Sequence, residues 1–161
     1  MDLTANRIHT LSLTTKQNLK ELDDLVTIKA YISSNLPPEI LPLKDTISFT
    51  LNQYDQFGGA KVKVIYKDPQ KNEEVKSEAQ SLGIAPIQFS SIKSDQYQVV
   101  QGYFGLGIFY AGSQEVIPAL QEINNLEYRL TAAISNLKKS ELPMIGITTG
   151  SGEINLNQAI R

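Results

Sequence analysis

The sequence predicts an α/β domain in which helices cover a sheet, and three patterns carry the prediction. Residues 60–89 read as strand, helix, strand, and apolar and polar side chains alternate through Val26–Ile32. Two separate stretches repeat one apolar spacing of i, i+3, i+7, i+11, i+14, the signature of a helix with one buried stripe.

Ser12 or Thr14 caps a short helix carrying Leu19, Leu22 and Leu25. Val26–Ile32 follows as a strand, with Val26, Ile28, Ala30 and Ile32 on its apolar side, and Ser33-Ser34-Asn35-Leu36-Pro37-Pro38 breaks it. Ile40, Leu43, Ile47, Leu51 and Tyr54 then draw the first stripe, with Pro42 in the first turn and Gly58-Gly59 as the stop. In the strand-helix-strand unit, Val62, Val64 and Tyr66 alternate with lysines and Ile65, and Asp68-Pro69 ends the strand. Asn72 offers an N-cap oxygen, Glu73 and Glu74 suit the first helical turn, and Val75, Ala79 and Leu82 form the apolar face before Gly83. Ile84–Phe89 is expected as the returning strand of a right-handed βαβ crossover, with Pro86 near its start. Ser90–Gln101 reads as a hairpin or extended excursion, Tyr103–Tyr110 as a strong strand, and Glu115–Pro118 as a short extended piece after the Ala111-Gly112-Ser113 turn. Ile123, Leu126, Leu130, Ile134 and Leu137 carry the second stripe, with Lys138-Lys139 at the helix end, and Met144–Thr148 is expected as a last strand.

At 161 residues and 41% hydrophobic content the chain supports one domain with a real core. Its net charge of −2, from 15 basic and 17 acidic residues without long blocks, lacks the positive field that nucleic acid demands. The absence of cysteine removes disulfides, thiolate metal sites and cysteine nucleophiles. No stretch reaches the roughly 20 apolar residues needed to span a bilayer, and the N-terminus lacks a signal-peptide layout.

Chemistry-bearing patterns are few. Gly102, Gly105 and Gly107 have the wrong spacing for a dinucleotide fingerprint and continue into a strand, so they read as close packing. Thr149-Gly150-Ser151-Gly152 has no following lysine for a phosphate. Asp23-Asp24 and Glu73-Glu74 point apart on helices, whereas metal or acid/base work needs convergent oxygens. Lys61, Lys63 and Lys67 read as protection of a sheet edge. His9, the only histidine, has no legible orienting partner and reads as a surface or packing residue. No cofactor or metal is implied.

Asp2-Leu3-Thr4, Leu11-Ser12, Thr15, Leu19, Leu22, Val26-Thr27-Ile28, Asn35-Leu36-Pro37, Tyr66-Lys67-Asp68-Pro69, Leu82-Gly83-Ile84, Tyr103-Phe104-Gly105-Leu106, Ile117-Pro118, Leu126–Thr131 and Gly150-Ser151-Gly152-Glu153 together resemble the GldG-like auxiliary components of ABC transport systems, some associated with gliding motility. The resemblance covers nearly the whole chain, except that Ser151 stands where many members have histidine. It implies a periplasmic location, a membrane anchor just before Asp2, and an ABC permease and sister auxiliary subunit as partners; a homo-oligomer is left open. It also implies a juxtamembrane-like segment and short helix over 1–25, the α/β domain over 26–142, and a final strand and the stub of a further domain over 143–161.

The element order also resembles a thioredoxin-like fold: three layers, with a mixed central sheet flanked by helices. That resemblance implies a cis Ala85-Pro86 bond and a working surface on the loop after the first strand, although this loop lacks the two cysteines of redox members. Ser33, Ser34, Asn35, Leu36, Pro37, Pro38 and Glu39 are therefore the candidate interaction loop of a non-catalytic domain, with replacement of Asn35 and Leu36 expected to spare stability. The alternatives are solute binding, marked by a pocket lined with Tyr and convergent polar groups, and a hydrolase site completed by a missing domain. Ile47, Leu51, Val64, Leu126, Leu130 and Ile134 are expected to be buried together.

Overall fold

The computed structural model describes residues 10–120 and 123–147, with backbone alone from 140 onward. His9, Thr148 and the glycine-rich 149–153 stretch lie outside the described residues.

Helix α1 (Leu13–Lys20) begins where the Ser12 hydroxyl accepts the Thr15 N–H. Strand β1 (Val26–Ile32) leads through the candidate loop into α2 (Leu41–Gly58), which ends at Gly59 in the left-handed region, φ 57°. Strand β2 (Val62–Lys67) pairs parallel to β1, with Val26 opposite Val62 and Ala30 opposite Tyr66. Helix α3 (Glu73–Ser81) is capped by Asn72 Oδ1, which accepts the N–H groups of Glu74 and Val75. Strands β3 (Ile87–Lys93) and β4 (Gln96–Gly102) pair only with each other, across a two-residue turn with Ser94 and Asp95 at φ 52° and 62°. Strand β5 (Phe104–Tyr110) runs antiparallel to β1, β6 (Ser113–Ile117) follows it by a tight turn, and α4 spans Leu126–Ile147.

The result is a mixed four-stranded sheet of order β2-β1-β5-β6 with helices on both faces and a separate two-stranded hairpin. On one face Val26, Ile28, Ala30, Ile32, Phe104, Leu106 and Ile108 meet α1, α2 and α4 in the main core. Ile47, Leu51, Leu126, Leu130 and Ile134 are buried there together, with half-buried Val64 packed against them. Leu11, Leu19 and Leu22 belong to the same core, so α1 is integral to the domain. On the other face a smaller cluster of Tyr31, Ala79, Ile84 and Tyr103 gathers beneath α3.

Five expectations are corrected. The parallel crossover is β1-α2-β2, not the unit over 60–89, because the strand that follows α3 pairs only with β4 and does not join the main sheet. Gly83, at φ 81°, donates to the Gln80 carbonyl and Ile84 to that of Ala79, a Schellman ending that drops Ile84 into the second cluster, and the strand begins only at Ile87. Pro86 thus precedes the hairpin instead of a strand of the main sheet, and its peptide bond is trans. Residues 144–147 continue α4 instead of forming a strand; so short an apolar run has no period of its own to tell the two apart. Leu25 lies beyond the end of α1 and is exposed.

Candidate functional site

The candidate loop leaves the carboxyl end of β1 beside the carboxyl end of β2, the side of a parallel pair where open α/β sheets collect ligands. Its shape is set by contacts to distant segments. Ser33 is buried, donates its N–H to the Tyr103 carbonyl at 3.1 Å and accepts the Tyr103 N–H on Oγ at 2.8 Å. Ser34 gives both its N–H and its hydroxyl to Asp68 Oδ2, at 2.9 and 2.6 Å. Asp68 Oδ1 accepts the Gln70 N–H at 2.9 Å, which turns the chain after β2. Leu36 packs against the main core and faces Gly102, where a Cβ would stand 2.6 Å from Leu36 Cδ2. Glu39 accepts the Ser91 hydroxyl at 2.9 Å, tying the loop to the hairpin.

Of the seven candidate residues, Ser33 and Pro37 are therefore buried and Leu36 half-buried, which leaves Ser34, Asn35, Pro38 and Glu39 at the surface. Asn35 is exposed and borders two clefts. One, of about 390 Å³, runs between Asn35–Glu39 and the hairpin. The other, of about 610 Å³, lies toward α3 and is lined by Asp68, Glu73, Lys71 and Lys76 among others. A third, of about 420 Å³, opens across the Ser34–Asp68 bridge and is walled by Lys44, Ser48 and Asn52 of α2 and by Tyr66 of β2.

The electrostatics follow from these partners. Partial burial pushes the Asp68 carboxyl up, but the Ser34 and Gln70 hydrogen bonds and the Lys71 charge outweigh it and hold the group below its ordinary value. Behind the sheet, burial likewise raises the Glu78 carboxyl, while Lys29, Lys67 and Tyr31 bring it down to about 2. Lys29 Nζ and the Tyr31 hydroxyl meet Glu78 Oε1 at 2.8 and 2.6 Å, and Lys67 Nζ meets Oε2 at 2.7 Å. Lys67 is thus an ion-pair partner and not the edge guard expected of it, whereas Lys63 stands exposed on edge strand β2. Gly105 and Gly107 allow the close packing expected of them, against Ile84 and Leu82. Among the described residues no group of three His, Asp or Glu side chains is placed to hold a metal ion.

Sequence reasoning chose the loop but missed what shapes it: Asp68, Tyr103 and Ser91, and the α2 face of Lys44, Ser48 and Asn52. That face had a legible signal, since polar residues at i, i+4 and i+8 line up on a helix. The Ser34–Asp68 and Ser33–Tyr103 contacts had none, because their partners are 34 and 70 residues away.

Fold and clefts define a mixed α/β domain whose open polar surface gathers at the carboxyl ends of its parallel strands. Residues 5–108 match the family described as Domain of unknown function (DUF7088), and the chain belongs to it. An uncharacterised protein of Borreliella burgdorferi is 27% identical over 154 residues; the match takes in 96% of this chain and 30% of that relative, so the chain spans under a third of its length. No solved structure matches the chain. Among the described residues no helix is long and apolar enough to cross a membrane.

Proposed function

We propose that this chain is a non-catalytic, extracytoplasmic interaction or ligand-binding domain of a membrane-anchored, GldG-like auxiliary protein that works beside an ABC permease and a sister auxiliary subunit. One observation carries the reading: Asn35-Leu36-Pro37, Tyr66–Pro69 and Tyr103, three parts of the resemblance distant in sequence, converge on one loop whose anchors are internal and whose Asn35 faces outward. A surface held rigid loses little entropy when a partner covers it. The strand order and the β1-α2-β2 crossover support the thioredoxin-like reading, in which this loop is the working surface. The Ser34–Asp68 pair does not favour a hydrolase, since a carboxylate held below its ordinary pKa is a poor base for a serine hydroxyl.

The test is Asn35→Arg in the full-length protein, which sets a long cation in the middle of the proposed interface. Thermal stability should stay within about 0.5 kcal/mol, as for most surface changes, while co-purification with the permease or sister subunit drops several-fold. Unaltered co-purification by the folded variant places the interface elsewhere.

A further inference from the structure

We propose that the cleft between α2 and the Ser34–Asp68 bridge binds a small organic anion, a carboxylate or phosphate carried on a body the size of a single ring. The inference goes beyond the docking reading and stands without it, because none of the cleft's cationic or aromatic groups belongs to the loop surface assigned there.

Charge is the first support. The two ion pairs among the described residues both go to Glu78, one of them from Lys67, whose charge is thereby drawn to the back of the sheet. Among the described residues Lys44 and Lys71 enter neither, and Lys71 acts on Asp68 by its charge without closing an ion pair, so the cleft holds two cations against one acid. Its single acid, Asp68, has one oxygen taken up by Ser34 and the other by the Gln70 N–H, which blunts its repulsion of an incoming anion. The neighbouring cleft lacks this bias, since two acids, Asp68 and Glu73, line it together with Lys71 and Lys76.

Shape and neutral chemistry narrow the class. The Tyr66 hydroxyl donates to Asn52 Oδ1 at 2.9 Å and lies 3.2 Å from the Ser48 carbonyl, so the ring is held across the α2 face while 46% of the residue stays exposed. An exposed, fixed ring offers a flat apolar wall, and Ile32 adds hydrocarbon at the floor. With its oxygen engaged by Tyr66, Asn52 keeps its amide N–H groups to donate, and the Ser48 hydroxyl adds a further donor. Two cations, neutral donors and an apolar wall around about 420 Å³ suit an anionic head on a compact body, within the usual range of roughly 300–1,000 Å³ for small-molecule sites.

The isotope-labelled protein would be titrated with phenyl phosphate, benzoate, benzyl alcohol and inorganic phosphate while its amide NMR spectrum is followed. Phenyl phosphate or benzoate should give saturable shifts at Lys44, Ser48, Asn52 and Tyr66, with benzyl alcohol and inorganic phosphate at least roughly tenfold weaker. Stronger binding of one aryl anion than the other identifies the preferred head group. Lys44→Gln with Lys71→Gln keeps much of each stem and should weaken binding by about tenfold or more, while Lys76→Gln on the other cleft leaves it unchanged. Three results would overturn the site: no saturable shift up to about 10 mM, equal binding by the double variant with its spectrum intact, or inorganic phosphate binding as well as phenyl phosphate.

Discussion

On one face of the sheet, Val26, Ile28, Ala30, Phe104, Leu106 and Ile108 meet three helices largely through hydrocarbon; on the other, Lys29, Tyr31 and Lys67 meet one short helix through the single carboxylate of Glu78. The strands are the same, and alternate residues point opposite ways. The difference lies in what each face must hold. The first face carries the apolar stripes of α2 and α4, and its polar groups serve as a lock at the rim: the Tyr54 hydroxyl meets the Glu127 carbonyl and Thr131 Oγ1 at 2.9 and 2.7 Å, and Thr15 donates to Glu127 Oε1 at 2.7 Å. The second face has Gly105 and Gly107 where the first has Leu106 and Ile108, so Ile84 and Leu82 reach the backbone itself and the charged groups hold α3 beside them. Bulk secures one face; close approach and charge secure the other.

The comparison is broken most severely from the first face. Leu130 is fully buried among the three helices, and Leu130→Ala removes hydrocarbon from a site whose walls belong to long, mutually packed elements. Denaturant unfolding should show a loss of about 2–5 kcal/mol, the range for buried Leu to Ala. A loss under about 1 kcal/mol would mean that α4 is not needed to close that face.

The second face is tested by adding bulk instead of removing it. A Cβ on Gly105 would stand 2.5 Å from Ile84 Cγ2 and 3.0 Å from its Cγ1, and Ile84 is itself fully buried. Gly105→Ala should therefore cost about 1–3 kcal/mol by overpacking, and combined with Ile84→Ala, which removes both clashing γ carbons, it should cost less than the sum of the two single changes. If the single substitution is neutral, the α3 side gives way easily and the contrast between the faces is one of rigidity as well as chemistry.

Much of the first face was legible in the sequence and little of the second. The stripes from Ile40 and from Ile123 have a helical period, and a period survives without knowledge of partners. Strand pairing carries no such signal: β3 has a convincing strand composition, yet whether it joins the main sheet or a hairpin depends on the Schellman turn at Gly83 and the left-handed pair Ser94-Asp95. The candidate loop was found from its prolines and its place after β1, whereas the anchors that shape it, Asp68, Tyr103 and Ser91, come from three other segments. Nothing in the sequence singles out Glu78, and Lys67 reads as an edge lysine, yet the fold places them 2.7 Å apart.

Glu78 also sharpens the comparison through pH, because it ties α3 to two lysines of the sheet by charge. Its carboxyl is held at about 2 in the folded chain against an ordinary value of 4.5. A depressed folded value means that the carboxylate's contribution is complete above about pH 4.5 and is lost as the pH falls toward about 2. Glu78→Gln keeps the size of the side chain and removes that titration. Because the pair is part-exposed, the cost at neutral pH should be about 1 kcal/mol, between an exposed ion pair and a charged hydrogen bond. Asp68 and Glu127, also held below their ordinary values, titrate in both proteins and cancel in the difference. The gap in unfolding free energy between wild type and Glu78→Gln should therefore be constant from neutral pH down to about 4.5 and close steadily below it. A gap that stayed constant to pH 2 would show that the carboxylate's charge does not hold α3, and that Ile84 against Gly105 secures the second face by packing alone.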